Sequence, residues 1–286
     1  MMKPGTTEAL TVVRQAEFGF FLSDGENDIL LHEREVTGTI AVDETVTVFL
    51  YHDHQNRLSA TMAQPIIKND EMGWLEVVGV RPTHGVFVYN GISRDLFVSM
   101  DELPTDRNEW PAVGDKLFCS LTWDKKGRLM GKLVKGSPIT SQAILADDSW
   151  LNQNVKGTIY HFLDEGAALF IENGPIAFLH QDEANGIPRL GQLVHGRVQF
   201  VRDDGRVNIT QRQLRTDQQK DDADVILAFL EARKAGGMPY TDKSSSEDIH
   251  ARFGMSKAAF KRALGKLYKE RKIEQRDGFT YLAEKK

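Results

Sequence analysis

Between positions 257 and 269 the sequence places Lys257, Lys261, Arg262, Lys266 and Lys269 with no acidic residue among them. On a helix, 257, 261 and 265 share one face, as do 262, 266 and 269, so these cations would flank an apolar stripe of Phe260, Leu264, Leu267 and Tyr268 and suit a phosphate backbone. Further back, Arg57, Arg128 and Arg206 recur at spacings of 71 and 78 residues, and Gly19, Gly85 and Gly166 at 66 and 81. Aromatic rings and histidines accompany these marks: Phe18 and Phe21, His32, His84 and Phe87, and His180. Rings that stack on unpaired bases, with cations for phosphates, are what single-strand recognition requires. Hydrolytic or metal chemistry finds less support. His52-Asp53-His54 with His32 lacks a suitably spaced acidic ligand and reads as a solvated turn. The pairs Asp147-Asp148, Asp203-Asp204 and Asp221-Asp222 read as turns and helix starts. The sequence has no phosphate loop, no G-x-S-x-G elbow and no C-x-x-C.

The elements that must position these residues appear as three copies of one pattern. From Val155 to Arg212, five short alternating runs (155–160, 166–171, 176–180, 190–198 and 203–210) follow with no long helix, which predicts a small closed Greek-key barrel of the OB type. Residues 7–62 repeat it as Leu10–Arg14, Phe18–Leu22, Ile29–His32, Glu44–Leu50 and Arg57–Thr61. Residues 71–134 repeat it as Glu76–Val80, His84–Tyr89, Leu96–Ser99, Val113–Leu121 and Asp124–Leu129. The repeat length is too long for a solenoid and predicts separate beads on a string. After Arg212 the apolar period changes from 2 to 3.6. Val225, Ile226, Phe229 and Leu230 predict a helix ended at Gly236-Gly237; a short helix at 246–253 and a Ser256-capped helix at 257–272 follow. A hairpin turns at Asp277-Gly278. Three helices and a hairpin predict a winged helix, with a helix-turn-helix at 246–271.

The third copy closely resembles the S1 RNA-binding domain: a glycine-led first strand, Gly166-Ala167-x-Leu169, Leu179-His180, Gly191 to Val198, then Asp203 to Thr210. In that family's pattern the second and third strands carry the binding face. The resemblance places Phe18, Phe21 and His32 there in the first copy, beside Arg57. In the second it places His84, Phe87 and Arg128, with Ser99 where the other copies have histidine. In the third it keeps His180 and Arg206, while Glu165 and Ala168 stand where two aromatics are expected. The chain therefore reads as a multidomain, mainly β protein. S1-like barrels fill 7–64 and 70–135, a linker 136–151 packs on a neighbour through Ile144, Leu145, Trp150 and Leu151, a third barrel fills 152–213, and an α+β winged helix fills 218–286.

That order resembles the conserved virulence factor B family of bacterial RNA-binding proteins. The resemblance implies single-stranded RNA binding, a role in post-transcriptional regulation, no catalysis and no cofactor. It leaves the ribosome and RNA-processing machinery as partner classes. Two other readings compete: a winged-helix DNA-binding regulator, with 256–271 in a major groove, and a ribonuclease or its accessory subunit. Composition bounds all three. Cys119 is the only cysteine, so neither an internal disulfide nor a zinc–cysteine cluster is expected. The amino-terminal residues carry no hydrophobic signal core and no run approaches a membrane span, which predicts a cytoplasmic protein. Net charge is −5, but residues 251–286 hold eleven Lys or Arg against four acids, a surplus of +7, leaving −12 for the remainder.

Overall fold

The computed structural model describes residues 2–212, 215–233 and 237–283, with the backbone alone over 215–221. It divides into two units, Met1–Arg212 and Gln213–Lys286.

The first unit holds three five-stranded assemblies. β1 (Thr7–Ala16), β2 (Gly19–Ser23), β3 (Asp28–His32), β4 (Thr45–His52) and β5 (Leu58–Thr61) close into a barrel in the order β1-β2-β3-β5-β4. β6 (Met72–Arg81), β7 (Gly85–Tyr89), β8 (Leu96–Ser99), β9 (Lys116–Trp123) and β10 (Leu129–Leu133) follow the same path, but no hydrogen-bonded ladder joins β8 to β10. A Cβ on Gly131 of β10 would still come within 2.9 Å of Val98 on β8, so the two edges abut. After α1 (Ser137–Thr140), β11 (Asn154–Leu163), β12 (Gly166–Phe170), β13 (Ile176–His180), β14 (Leu193–Val201) and β15 (Val207–Thr210) close the third barrel.

Two local devices recur. Each first strand carries a bulge at one place, between Val12 and Arg14, Val77 and Gly79, and Ile159 and His161. The added twist lets one strand pair with both of its neighbours in a tightly coiled barrel. Each second strand begins at a glycine pressed against the third. Gly85 has φ +146°, and a Cβ there would lie 2.1 Å from the Val98 carbonyl oxygen. Inside the barrels, alternate residues such as Val12, Leu22 and Leu31, or Leu75, Val86 and Val98, are buried. Cys119 packs in the second core, where burial pushes its thiol up to about 12 and leaves it inert at neutral pH.

The barrels are not independent beads. Phe49 and Tyr51 of the first and Ile92 of the second form a shared buried cluster. Between the second and third, Arg189 donates to the nearly buried Asp115 carboxylate from Nε (3.1 Å) and Nη2 (3.2 Å), and Trp74 stacks on Phe170 with ring centroids 5.7 Å apart. The segment 136–151 also differs from expectation. Its backbone is tied down, Ile144 and Ala146 donating to the carbonyls of Gly174 and Gly205, and Trp150 packs on the third core. Ile144, Leu145 and Leu151 stay exposed, Leu145 at 78%. Ile139 is fully buried and Ala146 packs beside Trp150, so this strap is held by these apolar contacts together with the two backbone hydrogen bonds.

The second unit is a winged helix. α2 (Arg215–Glu231), the short β16 (Gly237–Met238), α3 (Ser246–Phe253) and α4 (Lys257–Lys269) precede the hairpin β17 (Ile273–Arg276) and β18 (Phe279–Leu282). Ser245 caps α3, Gly254 ends it in the left-handed region, and Ser256 caps α4. Gly236, expected to end the first helix, lies outside the described residues. Two apolar assignments change. Val225 is 48% exposed, since Ile226 and Leu230 four apart make the buried seam. Tyr268 is 62% exposed, and Ala263 takes its place in the stripe Phe260–Ala263–Leu264–Leu267. Position 268 lies one step, ~100°, past Leu267, which rotates it off the core face.

Candidate nucleic-acid interface

The strand registers put one row of residues across the outside of each barrel. In the first, Arg14 on β1 pairs with Phe21 on β2, Phe21 with Leu30 on β3, and Leu30 with Ser59 on β5. In the second, Gly79 pairs with Phe87 and Phe87 with Phe97. In the third, His161 pairs with Ala168, Ala168 with Phe178, and Phe178 with Asn208. The neighbours Leu22, Val86 and Leu169 fill the cores, so alternation turns these rows outward.

Each row carries aromatic surface arranged differently. Phe18 is 48% exposed and meets the half-buried Phe21 edge to face at 6.3 Å, while Phe20 turns inward against the core. The Arg14 guanidinium covers the Phe21 ring at 3.6 Å. Phe87 and Phe97 sit side by side, 5.3 Å between centroids. Where Ala168 leaves a gap, Phe178 on the adjacent strand supplies the ring, edge to face with His180 at 6.4 Å. Burial, and then Lys135, hold His161 below the ordinary histidine range, so it enters the row as a neutral ring. Sequence reading missed Phe97 and Phe178. The available signal was period 2: each stands two residues before Ser99 or His180 and therefore on the same face.

The third-strand position His32, Ser99 or His180 has a structural task in all three barrels. Each caps a 3₁₀ turn: His32 Nδ1 accepts from Arg34 N–H (3.2 Å), Ser99 Oγ from Asp101 N–H (3.3 Å), and His180 Nδ1 from Asp182 N–H (3.1 Å). Serine in the second barrel thus keeps the cap and gives up only the ring. His180→Ala should therefore destabilise the chain by ~0.5–1 kcal/mol, and His180→Ser should restore most of the loss in denaturant unfolding. Failure of serine to restore it would assign the stabilisation to packing on Phe178. His84, one residue before Gly85, is exposed, with Nδ1 2.8 Å from Thr83 Oγ1.

The arginines sit at the turn between the fourth and fifth strands. Arg57 donates to Asp53 Oδ2 from Nε (2.9 Å) and Nη2 (2.7 Å), and Arg128 Nε donates to Asp124 Oδ2 at 2.7 Å. Burial would raise the Asp53 carboxyl, but the Arg57 N–H and guanidinium outweigh it and hold the group low; at Asp124 the Arg128 N–H is the largest influence and acts the same way. In the third barrel the turn opens with Arg202 in place of aspartate. Arg202 and Arg206 share Asp204 at 3.2 and 3.7 Å, so one carboxylate there serves two guanidinium groups. On α4, Lys261, Arg262 and Lys269 are exposed and Lys257 and Lys266 half-buried. None of the five has an ion pair among the described residues. No helix of the described residues is long and apolar enough to cross a membrane, and no group of three or more His, Cys, Asp or Glu among them could hold a metal ion.

Three tandem S1-type OB barrels with a winged helix define the class of this protein. Residues 4–63 match the S1 domain, 72–132 the CvfB first S1-like domain, 139–213 the second domain of virulence regulatory factor CvfB, and 224–282 the CvfB-like winged helix domain. The chain is 43% identical over 280 residues to YitL of Bacillus subtilis (98% of this chain, 94% of that one), and 31% identical over 286 residues to conserved virulence factor B of Staphylococcus aureus, with the same coverage. A crystal structure described as a multidomain protein with nucleic acid binding domains, from Streptococcus pneumoniae, superposes with TM-score 0.66 at 32% identity over 98% of both chains. The chain belongs to the conserved virulence factor B family.

Proposed function

We propose that this protein is a non-catalytic binder of single-stranded RNA that acts in post-transcriptional regulation in the bacterial cytoplasm. The observation that carries the reading is the outward row across the second and third strands, which carries at least one ring in every barrel, Phe21 in the first, Phe87 and Phe97 in the second and Phe178 in the third. Unpaired bases offer faces to Phe18 and Phe21, to His84, Phe87 and Phe97, and to Phe178 with His180. Arg57, Arg128 and Arg206 meet the phosphates. Ser99 and Ala168 are local changes of supplier within a kept design. The Streptococcus pneumoniae protein, described as having nucleic acid binding domains, agrees with this reading.

The winged helix contributes charge. Because residues 251–286 carry +7 against −12 elsewhere, long-range attraction to RNA comes mainly from Lys257, Lys261, Arg262, Lys266 and Lys269. Reversing Lys261 and Arg262 to glutamate should weaken every RNA sequence alike and lower the slope of log K against log salt by about one to two units, at ~0.7 per phosphate contact on a single strand. Base preference should not change, because phosphate contacts carry no sequence information. An unaltered slope would make this face a merely solvated surface. A changed preference would favour the DNA-regulator reading, which the exposed cations of α4 also suit. Appearance of cleaved product from labelled RNA with Mg²⁺ would replace the non-catalytic reading with a nuclease.

A further inference from the structure

We infer that the first and second barrels jointly form a pocket for a short segment of the bound RNA strand; this rests on the RNA-binding reading above and goes beyond it by making one site of two barrels. A cleft of about 520 Å³ lies between them, lined from the second barrel by Phe87, Phe97, Arg81 and Arg94 and from the first by Tyr51 and Asn56, among others. That volume falls within the ~300–1,000 Å³ usual for sites that enclose a small ligand.

The floor is the side-by-side pair Phe87 and Phe97, which are the outward ring surface of the second barrel. The facing wall is the end of β4 and the turn that follows it in the first barrel, whose own ring surface, Phe18 and Phe21, lies elsewhere on β2 and the turn before it. Across the mouth, an Arg94 guanidinium N–H reaches the His54 ring, joining the two barrels at the rim. Arg81 ends β6 exposed and has no ion pair among the described residues. Rings on the floor, cations at the rim and a polar wall opposite are the requirements of a base seated with its phosphate outside. The wall does not drift, because Phe49 and Tyr51 are buried against Ile92 of the second barrel. A base entering here is screened from water on two sides, where an open sheet would screen one.

The test uses the full chain and an iodouridine-substituted oligouridylate, irradiated and mapped by mass spectrometry. Crosslinks are expected in peptides spanning both 51–57 and 81–97. Phe97→Ala should weaken the oligonucleotide ~10-fold and remove both sets together. Arg81→Glu with Arg94→Glu, which leaves the packed rings in place, should do the same and guards against a variant that merely unfolds. Crosslinks at 81–97 with none at 51–57, or loss of one set without the other, would overturn the shared pocket. Crosslinks confined to the rows of Phe21 and Phe178 would defeat this inference and leave the RNA-binding reading standing. No crosslink on any barrel would defeat both.

Discussion

Alanine at Phe21, Phe87 and Phe178 together should weaken single-stranded RNA binding by at least ~3 kcal/mol, more than 100-fold, taking ~1–3 kcal/mol for each lost base stack. Each ring stands next in the chain to a buried core residue, so the core keeps Leu22, Val86 and Leu179 when the ring is removed. Phe21→Ala alone should give the smallest single effect, because Arg14 already covers that ring at 3.6 Å and is freed to meet a phosphate. Affinity must be expressed per folded molecule, with thermal unfolding run beside it. If stability falls and affinity per folded molecule does not, the rings are packing residues and the face has been assigned wrongly.

Gly85→Val should be the most destabilising single substitution considered, at ~3 kcal/mol or more. The backbone there has φ +146°, which a β-branched residue does not adopt, and the new Cβ would meet the Val98 carbonyl oxygen at 2.1 Å. The Cβ position is fixed by the backbone of β7 and its partner is a backbone oxygen of β8, so the clash cannot be relieved by a side-chain rotation. Gly186→Ala is the control. It shares a positive φ (+83°) but meets nothing within 4 Å, so only the conformational strain of about 1 kcal/mol remains. Equal losses in denaturant titration would show that the close approach of β7 to β8 is not what demands glycine at 85.

Much of the architecture was legible because period-2 alternation, turn glycines and Asp-Gly pairs are local signals. They located the strands of all three barrels and the hairpin of the winged helix. The contacts between barrels were not legible. Phe49, Tyr51 and Ile92, or Asp115 and Arg189, are close only after folding, and no spacing announces them. The same limit explains Tyr268: an aromatic beside Leu267 reads as core until the buried stripe is seen to use Ala263. At the interface, comparing copies position by position revealed substitutions, and register was needed to interpret them. Ala168 stood where an aromatic was expected until Phe178 was found opposite it, and Ser99 stood as a plain departure from histidine until its cap hydrogen bond was seen. Arg202 replaces the turn aspartate of the other barrels, a change readable from sequence once Asp53 and Asp124 are known to neutralise their arginines.

Equilibrium binding of one RNA sequence, presented single-stranded and then annealed to its complement at the same salt, tests the central claim most directly. Stacking on the three rows needs unpaired bases, whereas phosphate attraction alone would favour the more densely charged duplex. The account predicts tighter binding to the single strand, with the difference abolished in the triple alanine variant. Equal or tighter binding to the duplex by the unaltered protein would contradict it.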